Sequence, residues 1–127
     1  MSKQIKAIIF DVGKVLVNYD YDIYLRELEL FSDLSFEEIK NLLDYSDLSR
    51  QYTLGQMSTK DFYKKSIARI GAKKLSFERF KAMHKAILIQ PNEEVERLLK
   101  LIKPGIKLLI LSNTDELFWE SMKGSAL

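Results

Sequence analysis

An aspartate and a hydroxyl–amide pair occupy matching positions in this sequence, each directly after a short apolar run. Asp11 follows the run Ile5–Phe10, and Ser112 and Asn113 follow the run Ile106–Leu111. Both runs lack the alternation of a half-exposed strand, which predicts parallel strands covered on both faces. Open α/β sheets bind ligands at the carboxyl ends of such strands. The carboxylate, the hydroxyl and the amide therefore form a candidate active site.

The residues between the two runs follow a helical pattern with recognisable beginnings and ends. Helix beginnings are predicted at Ser35, Ser58, Ser76 and Pro91–Asn92, and helix ends at Gly71 and Pro104–Gly105. A crossover between parallel strands needs only one helix, so the stretch 18–90 predicts a helical cap inserted after the first strand. Residues 1–17 and 91–127 then form the core. The predicted fold class is α/β, with a partial Rossmann-like parallel sheet and this cap.

Composition excludes several functional classes. The chain has 46% hydrophobic and 30% charged residues, as globular proteins do, and its net charge of +2 is spread over 20 basic and 18 acidic residues. Such scattered charge argues against a nucleic-acid-binding face. No apolar stretch approaches the roughly 18 residues of a membrane span. The absence of cysteine excludes disulfides and thiolate catalysis and agrees with a cytoplasmic location.

Two motifs carry a resemblance to a known family. The sequence Asp11-Val-Gly-Lys-Val-Leu after the first strand, a helical insertion, and then Ser112-Asn-Thr after the second resemble the haloacid dehalogenase-like (HAD) hydrolases. The Asp-x-Gly-x-Val form is similar to the sugar-phosphate phosphatase branch that includes alpha-glucose-1-phosphatase. The order of the motifs and the size of the insertion make the match more specific than either motif alone, and it spans essentially the whole chain.

The resemblance implies a magnesium-dependent phosphatase and assigns a role to each site residue. Asp11 is the nucleophile and forms an aspartyl-phosphate, and Mg²⁺ is held by the Asp11 carboxylate and the backbone carbonyl of Gly13. Ser112 and Asn113 bind the phosphoryl group of a small phosphorylated metabolite. Apart from the resemblance, Lys14 lies just past the nucleophile, where it could sense the phosphate charge, and a solvated loop lysine is the equal alternative. Thr114 is predicted to cap the helix that follows.

The sequence departs from the family pattern in two ways. Gly13 replaces a second aspartate that donates a proton to the leaving oxygen in most of these phosphatases. A general acid typically contributes about 10²- to 10⁴-fold, so the change favours a good leaving group such as the anomeric oxygen of a sugar 1-phosphate. Asp20 and Asp22, at the entrance to the cap, are candidates for a partial substitute, although acids at a helix beginning are the simpler interpretation.

The family's later lysine and its acidic pair have no counterpart before Leu127. The chain is therefore expected to correspond to the first part of a phosphatase, with little activity alone. The alternative is a non-catalytic truncated relative or a partner-binding module. A haloacid dehalogenase, which also uses a strand-end aspartate, ranks last because no halide pocket is recognisable. Two buried-type strands without further strands also predict self-association through the incomplete core, or else partial disorder with a more stable helical cap.

Overall fold

The computed structural model describes residues 3–124, apart from the side chains of residues 88 and 89. Its elements in chain order are β1 (Ala7–Phe10), β2 (Val17–Tyr19), α1 (Tyr21–Glu29), α2 (Phe36–Leu43), α3 (Asp47–Thr53), α4 (Thr59–Ile70), α5 (Phe77–Lys85), β3 (Leu88–Pro91), α6 (Glu93–Leu99), β4 (Lys107–Ile110) and α7 (Glu116–Lys123). The predicted α/β class is confirmed. None of the helices within 3–124 is long and apolar enough to cross a membrane.

Strands β1 and β4 pair in parallel, as the two apolar runs predict. The register places Ala7 opposite Lys107 and Phe10 opposite Ile110. The expectation that both faces are covered is wrong for the described residues, because Ile9 and Ile110 are each 61% exposed. The physical reason is the small size of the sheet. It has two strands, and α6, which leads into β4, contributes no buried residue.

A second, antiparallel pair of strands joins the two ends of the helical insertion. Val17 pairs with Pro91 and Asn18 with Gln90, and the Asn92 amide donates to the Leu16 carbonyl at 2.8 Å. The sequence analysis did not predict this pair. Each strand has only three or four residues, which is too short to show a period.

The chain forms two compact units. The sheet unit comprises Met1–Tyr19 and Leu88–Asn113, and the helical unit comprises Asp20–Ile87 and Thr114–Leu127. The predicted division into a core (1–17 and 91–127) and a cap (18–90) stays a prediction. The compact units differ from it mainly at α7, because this helix packs on α5 of the helical unit.

Serine caps start α2, α4 and α5, where the sequence predicts helix beginnings. Ser35 and Glu38 form a reciprocal capping box at α2, and the Ser58 and Ser76 hydroxyls accept amide hydrogens at α4 and α5. Helix α4 ends at Gly71, which has a φ of 71° and so adopts the left-handed conformation that glycine tolerates. These local signals fix the helix bounds before any tertiary contact is considered.

The cap of α7 is Asp115, which corrects the prediction of Thr114. The Asp115 carboxylate accepts the amide hydrogen of Phe118 at 2.8 Å, whereas the Thr114 hydroxyl donates to the Asp115 carbonyl. A carboxylate is favoured at this position because its charge also interacts with the positive end of the helix dipole.

The helical unit encloses a hydrophobic core that contains several aromatic rings. Phe80 is fully buried, and its ring makes edge contacts with Tyr24, Phe62 and Tyr63. Tyr52 stacks on Phe62 with ring centroids 4.2 Å apart. Edge and offset arrangements of this kind are favoured by the charge distribution of aromatic rings. The helical unit therefore has a packed hydrophobic core of its own.

Candidate active site

The parallel register brings Asp11 and the Ser112–Asn113 pair to adjoining strand ends. Pairing continues one residue past the strands, because the Leu111 amide donates to the Phe10 carbonyl at 2.9 Å. Continued by one residue, the register places Asp11 opposite Leu111, and Ser112 follows Leu111 on the neighbouring strand. Residues that are distant in the sequence are thus brought to the same carboxyl edge, where α/β sheets bind ligands.

Asp11 is held by the residue that follows it. Its side chain is exposed, and the carboxylate accepts the amide hydrogen of Val12 at 2.7 Å. The Val12 side chain is only 2% exposed. A buried valine next to an exposed aspartate anchors the backbone while leaving the carboxylate accessible to a ligand.

A tight loop follows, and its hydrogen bonds converge on one carbonyl. The Val12 carbonyl accepts from the amides of Val15, Leu16 and Val17 at 2.9–3.2 Å. The Lys14 amide donates to the Val17 carbonyl at 2.8 Å. Together they form a bridge between Gly13 and Val17. On the Gly13 side, this bridge uses the Val12 carbonyl and the Lys14 amide, so the Gly13 carbonyl takes no part in it. That carbonyl is the predicted metal ligand.

Lys14 lies at the turn of this loop in an unusual backbone conformation. Its φ is 60°, in the left-handed region that non-glycine residues seldom adopt. The side chain is exposed, and its Nζ lies 5.3 Å from the centre of the Tyr19 ring. The sequence analysis singled out Lys14 but missed Tyr19, because no motif marks an aromatic residue five positions further along.

On the neighbouring strand, Ser112 and Asn113 lie in an extended segment between β4 and α7. The Ser112 hydroxyl is half-buried and donates to the Asn113 carbonyl at 3.4 Å, near the limit of a hydrogen bond. Asn113 is exposed. Such a weak local bond leaves the hydroxyl available to a ligand.

Asp20 and Asp22, considered as substitute acids, serve the beginning of α1. The Asp20 carboxylate caps the helix by accepting the amide hydrogen of Asp22 at 3.0 Å. Asp22 forms an ion pair with Lys40 at 3.1 Å. Both carboxylates have structural partners, which favours the simpler of the two interpretations.

Polar groups are also buried inside the helical unit. His84 is 2% exposed, its ring lies 5.0 Å from that of Tyr24, and burial lowers its pKa below the ordinary 6.5 while the Asp115 carboxylate opposes the change. Burial likewise raises the pKa of Tyr52 to about 12. The Tyr52 hydroxyl is hydrogen-bonded to Thr59 at 2.7 Å and to the Leu117 amide at 3.2 Å. This tyrosine therefore ties α7 to α3 and α4.

Within the part of the chain that the structure describes, no three His, Cys, Asp or Glu side chains are grouped closely enough to hold a metal ion. The predicted metal ligands are the Asp11 carboxylate and the Gly13 carbonyl. Both are hard ligands of the kind Mg²⁺ prefers, and Mg²⁺ commonly keeps several waters and binds one or two carboxylates together with substrate phosphate. The donor set fits a weakly held Mg²⁺ that is completed by water and by a phosphoryl group.

Comparison with known proteins finds solved structures that are similar to this chain. No family model matches the sequence. A HAD family enzyme from Bacteroides thetaiotaomicron, solved with magnesium and inorganic phosphate, is similar with a TM-score of 0.77 at 23% identity, over 96% of this chain and 60% of that one. An aspartate-to-alanine variant of that enzyme, solved with the same ligands, gives a TM-score of 0.78 at 22% identity over the same shares. A predicted HAD-like family hydrolase from Porphyromonas gingivalis gives 0.71 at 24%, over 91% and 55%.

The chain has the HAD fold. This confirms the fold that the two motifs indicated. The sugar-phosphate phosphatase branch stays a prediction, because likeness at this level of identity establishes the fold alone. The chain spans about three-fifths of the length of the HAD enzyme from B. thetaiotaomicron.

Proposed function

We propose that this chain carries the nucleophile and the phosphoryl-binding residues of a Mg²⁺-dependent HAD phosphatase. The observation that carries the proposal is the placement of Asp11 and Ser112 at adjoining ends of the parallel strands β1 and β4. Support comes from the neighbouring fold, since a HAD family enzyme of the same architecture binds magnesium and inorganic phosphate. The substrate class is a small phosphate monoester.

The proposed reaction takes place in two displacements at phosphorus. A carboxylate oxygen of Asp11 attacks the phosphorus, the bond to the ester oxygen breaks, and the departing oxygen takes a proton from water. A water molecule then attacks the aspartyl-phosphate, which releases inorganic phosphate and a proton and restores the carboxylate. When bound, Mg²⁺ neutralises charge on the phosphoryl oxygens.

The remaining residues position the phosphoryl group. The Ser112 hydroxyl and the Asn113 amide donate hydrogen bonds to its oxygens, and the Lys14 ammonium offsets its charge. Positioning and charge stabilisation supply most of the catalysis in phosphoryl transfer. The Asp11 carboxylate and the Gly13 carbonyl hold the metal on the same loop.

Gly13 limits the range of substrates. With no acid at residue 13, and with Asp20 and Asp22 engaged at α1, the leaving oxygen must depart without a strong proton donor. We therefore propose an ester with a good leaving group, such as a sugar 1-phosphate, whose anomeric oxygen is less basic than an ordinary alkoxide. Hydrolysis of p-nitrophenyl phosphate should exceed that of a simple alkyl phosphate by more than about 10²-fold, the lower end of what a general acid contributes.

The deciding experiment replaces Asp11 by asparagine. Phosphate release from p-nitrophenyl phosphate and from a panel of sugar phosphates is measured with and without Mg²⁺. We expect a low Mg²⁺-dependent rate that Asp11→Asn reduces to background, because the nucleophile and a metal ligand are removed together. Asp33→Asn, at an exposed aspartate of the helical unit, is the matched control and should retain the rate. Retained activity in Asp11→Asn would remove Asp11 from its role.

A second candidate is a non-catalytic relative that binds a partner. It is favoured by the absence of a three-ligand metal cluster among residues 3–124. Calorimetric titration of the chain with Mg²⁺ should show weak, non-saturating binding, because one carboxylate and one neutral carbonyl are few ligands. If the unaltered chain releases no phosphate in the presence of Mg²⁺, the non-catalytic candidate is favoured. If it releases halide from a 2-haloacid, a dehalogenase is favoured instead.

A further inference from the structure

The Tyr19 ring occupies the space beside Gly13 that a side chain at residue 13 would need. A Cβ placed on Gly13 would lie 2.7 Å from Cε1 of Tyr19 and 3.5 Å from Cδ1. Non-bonded carbons are normally separated by about 3.5–4.0 Å. The glycines with positive φ are Gly55, Gly71 and Gly105, so residue 13 needs glycine for this close approach and not for its backbone angle.

The same ring also contacts the residue on the other side. The Lys14 Nζ lies 5.3 Å from the centre of the Tyr19 ring, within the range of a cation–π interaction. The backbone of Lys14 is in the left-handed region, with a φ of 60°. Backbone strain of this kind collects at functional sites, where surrounding contacts maintain it. Here Lys14 is held by the hydrogen bond from its amide to the Val17 carbonyl and by the Tyr19 ring.

We propose that Tyr19 is the positioning residue of this site, with its ring packed on Gly13 and under the Lys14 ammonium. One aromatic side chain thereby fixes two groups of the proposed function: the carbonyl assigned to Mg²⁺ and the cation assigned to the phosphoryl group. Tyr19 acts through these neighbours and does not itself take part in the reaction. The inference rests on the proposed function for the roles of Gly13 and Lys14, but the packing is independent of it.

The packing is tested on the full chain without any ligand. Ring currents of Tyr19 should shift the ε-methylene protons of Lys14 upfield in the NMR spectrum. The shift should persist in Tyr19→Phe, which keeps a ring, and disappear in Tyr19→Leu. It should also disappear in Gly13→Ala, because the added methyl group displaces the ring. A Lys14 signal at its random-coil position in the unaltered chain would overturn the proposal.

The functional consequence is tested by titrating inorganic phosphate in the presence of Mg²⁺. Tyr19→Leu should weaken phosphate binding about fivefold, since a cation–π contact of this kind restrains the ammonium by an amount that corresponds to roughly that factor. Tyr19→Phe should retain the affinity of the unaltered chain. Tyr45→Leu is the matched control, because Tyr45 is 97% exposed in the helical unit, and it should have no effect.

The outcomes separate the two proposals. Phosphate affinity that is equal in Tyr19→Leu and in the unaltered chain, with the fold intact by circular dichroism, overturns the positioning role alone. If the unaltered chain binds no phosphate, the proposed function is overturned, and with it the phosphoryl role of Lys14.

Lys14→Gly should weaken phosphate binding while leaving the chain at least as stable, because glycine relieves the left-handed strain. A stable Lys14→Gly variant with full phosphate affinity overturns the assignment of Lys14.

Discussion

The helical unit and the sheet unit of this chain are stabilised in different ways. In the helical unit, Leu25, Leu28, Ile39 and Phe80 have no exposed surface. In the sheet unit all four residues of β4 are exposed. Among the side chains of the sheet unit that the structure describes, the buried apolar ones are Val12, Leu16 and Val17, which belong to the loop after β1 and to the start of β2. The helical unit is stabilised by a hydrophobic core, whereas the buried apolar side chains described in the sheet unit lie in and beside one loop.

This difference matters because the candidate active-site residues lie on the less covered unit. Asp11, Gly13 and Lys14 are fixed by the hydrogen bonds of one loop and by the Tyr19 ring. The helical unit, by contrast, has serine caps, a buried aromatic cluster and ion pairs such as Arg69–Asp47 at 2.9 Å. Most of the buried apolar side chains of the described residues therefore belong to the helical unit, whereas the residues proposed to do chemistry belong to the sheet unit.

The largest expected effect compares two isoleucines, one in each unit. Ile39→Ala should lower the free energy of unfolding by about 2–5 kcal/mol, because it removes a fully buried side chain and leaves a cavity. Ile110→Ala, at a side chain that is 61% exposed, should cost less than about 1 kcal/mol. Urea unfolding followed by far-ultraviolet circular dichroism measures both. A similar loss in the two variants would show that β4 is buried in solution, and the contrast between the units would fail.

The next effect concerns pH and tests the core of the helical unit. Because burial lowers the pKa of folded His84 below its ordinary 6.5, the unfolded chain binds a proton at a higher pH than the folded chain does. Stability should therefore be full above pH 6.5 and decline below it, by up to about 1.4 kcal/mol per pH unit until folded His84 is itself protonated.

His84 is the only histidine of the chain, which makes this decline assignable to one residue. The His84 Nδ1 atom has no hydrogen-bond partner among the described residues, so an apolar replacement breaks no hydrogen bond at that atom. His84→Phe should flatten the stability profile between pH 7 and pH 5, as measured by urea unfolding at each pH. An unchanged slope in this variant would show that another group titrates there.

Much of the helical unit could be predicted because its signals are local. Ser35, Ser58 and Ser76 start helices where the sequence places them, and Gly71 ends one. A capping side chain acts on backbone groups two or three residues away, so the pattern needs no tertiary information. The short helix α3 was missed although Ser46 caps it, because seven residues show little periodicity.

The sequence predicted which residues form the candidate site, but it did not predict the neighbouring residue, Tyr19, that contacts them. Asp11 and Ser112 follow apolar runs, and parallel pairing then brings their strand ends together. The approach of Tyr19 to Gly13 depends on the path of the loop and of β2, which no local rule specifies. Exposure of β1 and β4 was misjudged for a related reason. An apolar run indicates that a strand is suited to burial, but the neighbouring elements determine whether it is buried.

The smallest expected effect follows from that exposure. Apolar side chains on β1 and β4, with free strand edges, favour association between copies of the chain, as the sequence analysis predicts. Leu109→Lys, at a strand residue that is 48% exposed, should weaken self-association about tenfold, which corresponds to about 1.4 kcal/mol. Leu30→Lys is the matched control, since Leu30 is 79% exposed on the helical unit, and it should leave association unchanged. Sedimentation velocity over a concentration series measures both. A chain that stays monomeric at every concentration would show that the exposed strands do not drive self-association. Equal weakening of self-association by the two variants would show that the contact between copies does not involve β4 specifically.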